Sequence, residues 1–149
     1  MPDIRFYHLE NEGLEGALPK LMERVISAGL RAVVKVKDTD QSALIDELLW
    51  SYKPDAFLPH DTEDSPQVSL QPILITTQQH RLNEAECLIL LDADNWDDFD
   101  PFKRILYMFD GKNEEVVTAA RLDWKAFKEK GFEMSYWQQM PGGGWDQKA

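Results

Sequence analysis

Short apolar runs that alternate with helical repeats predict an α/β domain, a three-layer sandwich in which helices cover both faces of a mostly parallel central sheet. Three observations carry that prediction. The period of the apolar residues switches between strand-like and helix-like from Ile4 to Gln138. The run Cys87-Leu-Ile-Leu-Leu91 has no polar alternation, as suits a strand buried on both faces. The chain has 149 residues, 43% of them hydrophobic, which is enough for one domain with a real core and short of two.

The elements follow in order. Ile4, Phe6 and Tyr7 mark a first strand. Leu14, Leu18, Leu21, Met22, Val25 and Ile26 recur at helical spacing, and Gly29 stands where a helix C-terminus belongs. Ala32 to Val36 is a second strand. Asp38, Thr39 and Asp40 offer N-caps to a helix carrying Leu44, Ile45, Leu48 and Leu49, which Pro54 closes. Pro59 to Pro72, with three prolines and three acids, reads as a loop. Pro72-Ile-Leu-Ile-Thr76, Cys87 to Leu91 and Arg104 to Phe109 are the next strands. Gly111 or Asn113 opens a last helix to about Lys130, ended by Gly131. Phe132 to Gln138 adds a final strand. Residues 1–139 thus form a single domain, and 140–149 (MPGGGWDQKA) read as a flexible Gly-rich tail.

Charge narrows the function classes. Lys and Arg total 16 against 27 Asp and Glu, a net charge of −11. That argues against strong direct nucleic-acid binding, which needs a basic footprint, and against an anionic membrane surface. A single cysteine, Cys87, rules out an intramolecular disulfide. The N-terminus has no basic segment followed by an apolar one, and no apolar run is long enough to span a bilayer. A soluble cytoplasmic protein is expected.

Enzyme signals are sparse. After the first strand comes His-Leu-Glu-Asn-Glu-Gly-Leu-Glu-Gly, which has glycines but no Lys or Ser/Thr and too many acids to cradle a phosphate. After the second strand there is no glycine, so the dinucleotide fingerprint is missing as well. The acids Asp92, Asp94, Asp97, Asp98 and Asp100 fail the calcium-loop pattern, because the glycine and glutamate positions counted from Asp92 fall on Asp97 and Lys103. His8, His60, His80 and Cys87 lack zinc-ligand spacing. No Gly-x-Ser-x-Gly elbow occurs. No cofactor, metal site or catalytic residue is expected. A nucleotide- or metal-dependent hydrolase relying on Asp92 and its neighbours stays open as an alternative.

The last helix stands out. At about 100° per residue, Lys125 and Lys128 fall within about 40° of Arg121, and Trp124 lies about 60° away, at the edge of an apolar stripe of Val116, Ala120 and Phe127. A cationic stripe beside an aromatic ring suits an acidic peptide with an apolar end. An ordinary solvated face with Trp124 in the core is the other reading. Trp50 at the end of the second helix and Phe57 in the loop after it can also line a groove.

Several of these residues are similar to those of the chi subunit of bacterial DNA polymerase III. The opening Ile4-Arg-Phe-Tyr-His-Leu9, the pair Asp46-Glu-Leu-Leu-Trp50 and Phe57-Leu-Pro-His60, the strand Pro72-Ile-Leu-Ile75, and Arg121, Trp124, Phe127 and Gly131-Phe132 carry the resemblance, from Ile4 to about Trp137. The resemblance implies a nucleotide-binding-like topology without a phosphate loop and an accessory subunit with no active site of its own. It implies two partners: the psi subunit, which tethers chi to the clamp loader, and the acidic C-terminal tail of the single-stranded-DNA-binding protein. It implies a tail pocket at Trp50, Phe57, Arg121 and Trp124, to which the helical wheel adds Lys125 and Lys128. Better-known members carry a tyrosine where this chain has Trp124.

Overall fold

The computed structural model describes residues 2–10, 13–52, 60–62, 72–79, 81, 83–142 and 144–149. Among them, eight strands form one sheet: β1 (Asp3–Leu9), β2 (Ala32–Lys35), β3 (His60–Thr62), β4 (Ile73–Thr76), β5 (Cys87–Leu91), β6 (Arg104–Asp110), β7 (Glu133–Gln139) and β8 (Trp145–Gln147). Three helices accompany them: α1 (Leu14–Ser27), α2 (Thr39–Ser51) and α3 (Glu114–Glu129). The sheet order is β3-β4-β2-β5-β6-β1-β7-β8. Every pairing is parallel except β7 with β8. The α/β sandwich read from the sequence is the observed architecture.

Alternation along each strand builds two cores, one on each face of the sheet. Tyr7, Leu9, Val34, Ile75, Ile89 and Met108 point to the face that α1 and α2 cover with Leu18, Met22, Ile45 and Leu49. Ile4, Phe6, Val33, Leu88, Tyr107 and Phe109 point to the other, where α3 packs. The second core is aromatic. Phe6 is fully buried and stacks on Tyr107 with ring centres 4.2 Å apart. Burying one such ring contributes roughly 1.5–3 kcal/mol.

Helix boundaries follow local chemistry. Asp38 caps α2 through its carboxylate, which accepts from Gln41 N–H at 2.8 Å. Asn113 caps α3 by accepting from the N–H groups of Glu115 and Val116. Gly131, at φ 87°, stops α3 in a backbone region that side chains with a Cβ rarely enter.

Two segments depart from the sequence-based expectation. Within Pro59–Pro72, expected as a loop, residues 60–62 form β3 and add to the edge at β4; residues 59 and 63–71 lie outside the described residues. His60 is buried there, with its Nε2 3.2 Å from the Asp46 carbonyl oxygen of α2. The segment from residue 140, expected as a flexible Gly-rich tail, turns back and contributes β8 to the same sheet. Met140 N–H donates to the Gly144 carbonyl across the turn, and the Trp145 ring meets Tyr7 edge-on at 5.0 Å. That apolar anchor holds β8 against the sheet, an interaction between residues 138 positions apart that no local pattern encodes.

Candidate functional site

The α3 side of the sheet carries a recess bordered by the aromatic core. On α3 only Ala120 is fully buried, while Val116, Val117, Trp124 and Phe127 are half-buried against the aromatic core. The Trp124 ring stands edge-on to Phe6 at 5.2 Å and edge-on to Tyr136 at 5.6 Å. These contacts fix its position, so the exposed part of the indole is presented by a rigid support. Beside it opens a cavity of about 290 Å³. Phe109, Val117 and Ala120 form its floor, Trp124 and Tyr136 its aromatic walls, and Arg121, Lys148 and Ala149 its rim.

The rim is cationic. Arg121 is exposed, and among the described residues it makes no ion pair and no hydrogen bond. Lys128 Nζ lies 5.5 Å from the Trp124 ring centre, within cation–π range. Lys148, on the residue after β8, pairs with Asp146 at 2.9 Å, both side chains half exposed. An exposed pair of that kind holds its members only weakly.

Behind the cavity, Tyr136 Oη and His8 Nδ1 are hydrogen-bonded at 2.6 Å. Burial holds the His8 ring below its ordinary range; nearby Glu10 works against that and Arg121 reinforces it. Burial likewise raises the Tyr136 hydroxyl above the usual tyrosine range. Both groups are therefore neutral at pH 7, and the positive charge at the recess comes from its rim, from Arg121 and Lys148. Gly111 packs against His8: a Cβ there would collide with the His8 ring and the Leu9 carbonyl.

The structure brings together Arg121, Trp124 and Lys128 from the sequence-derived set. Lys125 lies on the same helix, exposed and away from the cavity. Trp50 lies elsewhere. It sits on α2, which packs on the opposite face of the sheet, and its 57% exposed ring stands 4.8 Å from His60 of edge strand β3. The pocket implied for Trp50 together with Arg121 and Trp124 is thus divided by the sheet. Phe57 lies outside the described residues. Sequence reasoning missed Phe109, Val117, Tyr136 and Lys148 as lining residues. Tyr136 could have been found from the alternation of the last strand, but Lys148 had no local signal.

Elsewhere, chemistry-bearing groups are held in structural roles. The Cys87 thiol is fully buried, and burial pushes it up to about 11, so it stays protonated at neutral pH. Asp94 receives Lys35 Nζ at 3.3 Å, and Asp92 accepts from the Asp110 N–H at 3.0 Å. The described residues hold no group of three metal-ligating side chains, and no helix among them is long and apolar enough to cross a membrane.

Comparison with known proteins adds two findings. The sequence family described as DNA polymerase III chi subunit, HolC, matches residues 1–135. A protein of Rickettsia prowazekii (strain Madrid E) named as a probable DNA polymerase III subunit chi is 30% identical over 91 residues. That alignment covers 61% of this chain and 55% of the relative's length. Tyr136, β8 and Lys148 lie beyond the matched residues, so part of the cavity wall is built by sequence outside the family match.

Proposed function

The chain belongs to the DNA polymerase III chi subunit family, and from that premise we propose that it serves DNA replication as a non-catalytic adaptor, captures the acidic C-terminal tail of the single-stranded-DNA-binding protein, and is joined to the clamp loader through the psi subunit. One observation carries the tail-binding part. In a chain of net charge −11, the guanidinium of Arg121 is exposed, has no partner from the described residues, and stands beside an aromatic-walled cavity.

The division of labour follows from the geometry. Arg121 offers a planar fork to a carboxylate of the tail. An apolar side chain of the tail enters between Trp124 and Tyr136, where the rings are already held by Phe6 and His8 and little is lost in ordering them. Lys128 and Lys148 lie at the edge and chiefly speed encounter with an acidic segment. The whole acid-binding function is assigned to the α3 side; Trp50, across the sheet, takes no part in this cavity.

Titration of a labelled tail peptide tests the assignment. Arg121→Ala and Trp124→Ala are each expected to weaken binding about tenfold, about 1.4 kcal/mol. Added salt should weaken the wild-type complex and have less effect on Arg121→Ala. Unchanged affinity in both variants would remove the pocket from the tail-binding role.

A further inference from the structure

A second recess has the opposite character. It opens at the C-terminal end of the parallel strands, where open α/β sheets most often receive ligands. Its volume is about 690 Å³, more than twice that of the Arg121 cavity at about 290 Å³. Its floor and walls are aliphatic: Leu9 from the end of β1, Leu14 from α1, and Leu44, Ile45 and Leu48 from α2. Leu44 stands 67% exposed on the lip, among the most exposed large apolar side chains described.

The rim is acidic. Glu10, Glu15, Asp92 and Asp110 contribute carboxylates, and among the described residues Lys112 is the one cation lining the recess. Glu10 is partly engaged, with Gln138 Nε2 donating to it at 2.8 Å. Asp92 and Asp110 converge: the Asp110 N–H donates to the Asp92 carboxylate, and burial plus the nearby Asp110 charge raise the Asp92 carboxyl above its ordinary range. Asp92 and Ala93 both take left-handed backbone, at φ 50° and 65°, an uncommon pair without glycine. That turn sets the Asp92 carboxylate at the rim.

From the aliphatic floor, the exposed leucine on the lip and the excess of carboxylates around them, we infer that this groove docks a cationic amphipathic helix of a partner protein. Apolar side chains on one face of the helix enter over Leu14, Leu44 and Leu48, and Lys or Arg on its flanks meet Glu15, Asp92 and Asp110. This is a separate surface from the Arg121 cavity and takes a segment of opposite charge.

Any cationic peptide is drawn to a chain of net charge −11, so the test must separate docking from general attraction. The probe is a fluorescein-labelled Leu/Lys amphipathic peptide of about four helical turns, beside a scrambled peptide of the same composition. Leu44→Asp adds a negative charge at an exposed position that folding does not need. Docking in the groove predicts that it weakens probe binding at least about tenfold. Leu122→Asp, at a 66% exposed position on α3, adds the same charge away from the groove and should leave binding equal or slightly tighter. Arg121→Ala, which also makes the chain one charge more negative away from the groove, should likewise leave it equal or slightly tighter. Equal or tighter binding by Leu44→Asp, or equal binding of the scrambled peptide, would mean attraction by net charge alone and would overturn the inference. A wild-type dimer in sedimentation that Leu44→Asp dissociates would assign the groove to a second copy and would overturn it too.

Discussion

The two recesses sit in one sheet and differ in almost every physical respect. The cavity under α3 is aromatic and cationic, and Trp124 stands edge-on to both Phe6 and Tyr136, whose rings are stacked on each other. The groove between α1 and α2 is aliphatic and acidic, with Leu44 standing free on its lip. The contrast shows how little a net charge of −11 says about any one surface. It also separates two kinds of binding surface. Rings locked by a buried partner present a set shape, whereas leucines around an open groove adapt to what enters.

The sharpest way to break the contrast is to remove the support of the rings. Phe6→Ala takes away the ring that stacks on Tyr107 and meets Trp124, and should cost about 3–5 kcal/mol in denaturant unfolding. A loss under about 1 kcal/mol would mean that α3 is not seated on this aromatic core. Next comes the loss of tail binding in Arg121→Ala and Trp124→Ala, each without a matching loss in the groove. Lys148→Glu should reduce tail binding about threefold, or about 0.6 kcal/mol, since it reverses a rim charge that is exposed and already paired with Asp146. Peptide titration at low salt measures it, and an effect as large as that of Arg121→Ala would make β8 a principal wall rather than a rim.

The smallest effect expected is on pH. The folded His8 ring titrates below 6.5 because it is buried, so between 6.5 and its folded value the unfolded chain binds the proton more readily. Its contribution to stability is fully present above pH 6.5 and declines as pH falls through the folded value. Melting temperature should therefore drop on acidification just below pH 6.5, and the slope should flatten in His8→Gln. On the other side of the sheet, Asp92 has the opposite sign: its raised carboxyl contributes stability below the ordinary carboxylate range that is lost as pH rises through its folded value.

Several of these features were legible in the sequence. The unbroken apolar run Cys87–Leu91 announced a strand buried on both faces, and it lies between β2 and β6 in the sheet interior. Arg121, Trp124 and Lys128 fell together because helical periodicity is local and survives folding. The place of Trp50 was not legible in that way: its neighbours are set by which face of the sheet α2 covers, which its own periodicity does not state. Lys148 was invisible because a short segment after a glycine-rich turn carries no signal of the strand it will join.

The sequence by itself determined the kinds and order of most elements, the two-sided core and the cationic face of the last helix, because each depends on residues within a few turns of one another. The tertiary structure decided which surfaces became recesses. With β1 placed between β6 and β7, Phe6 reaches Trp124 and Tyr136, and the return of β8 beside β7 brings Lys148 to the rim. Those neighbours are far apart along the chain, and only the strand order, settled by packing of the whole molecule, brings them together.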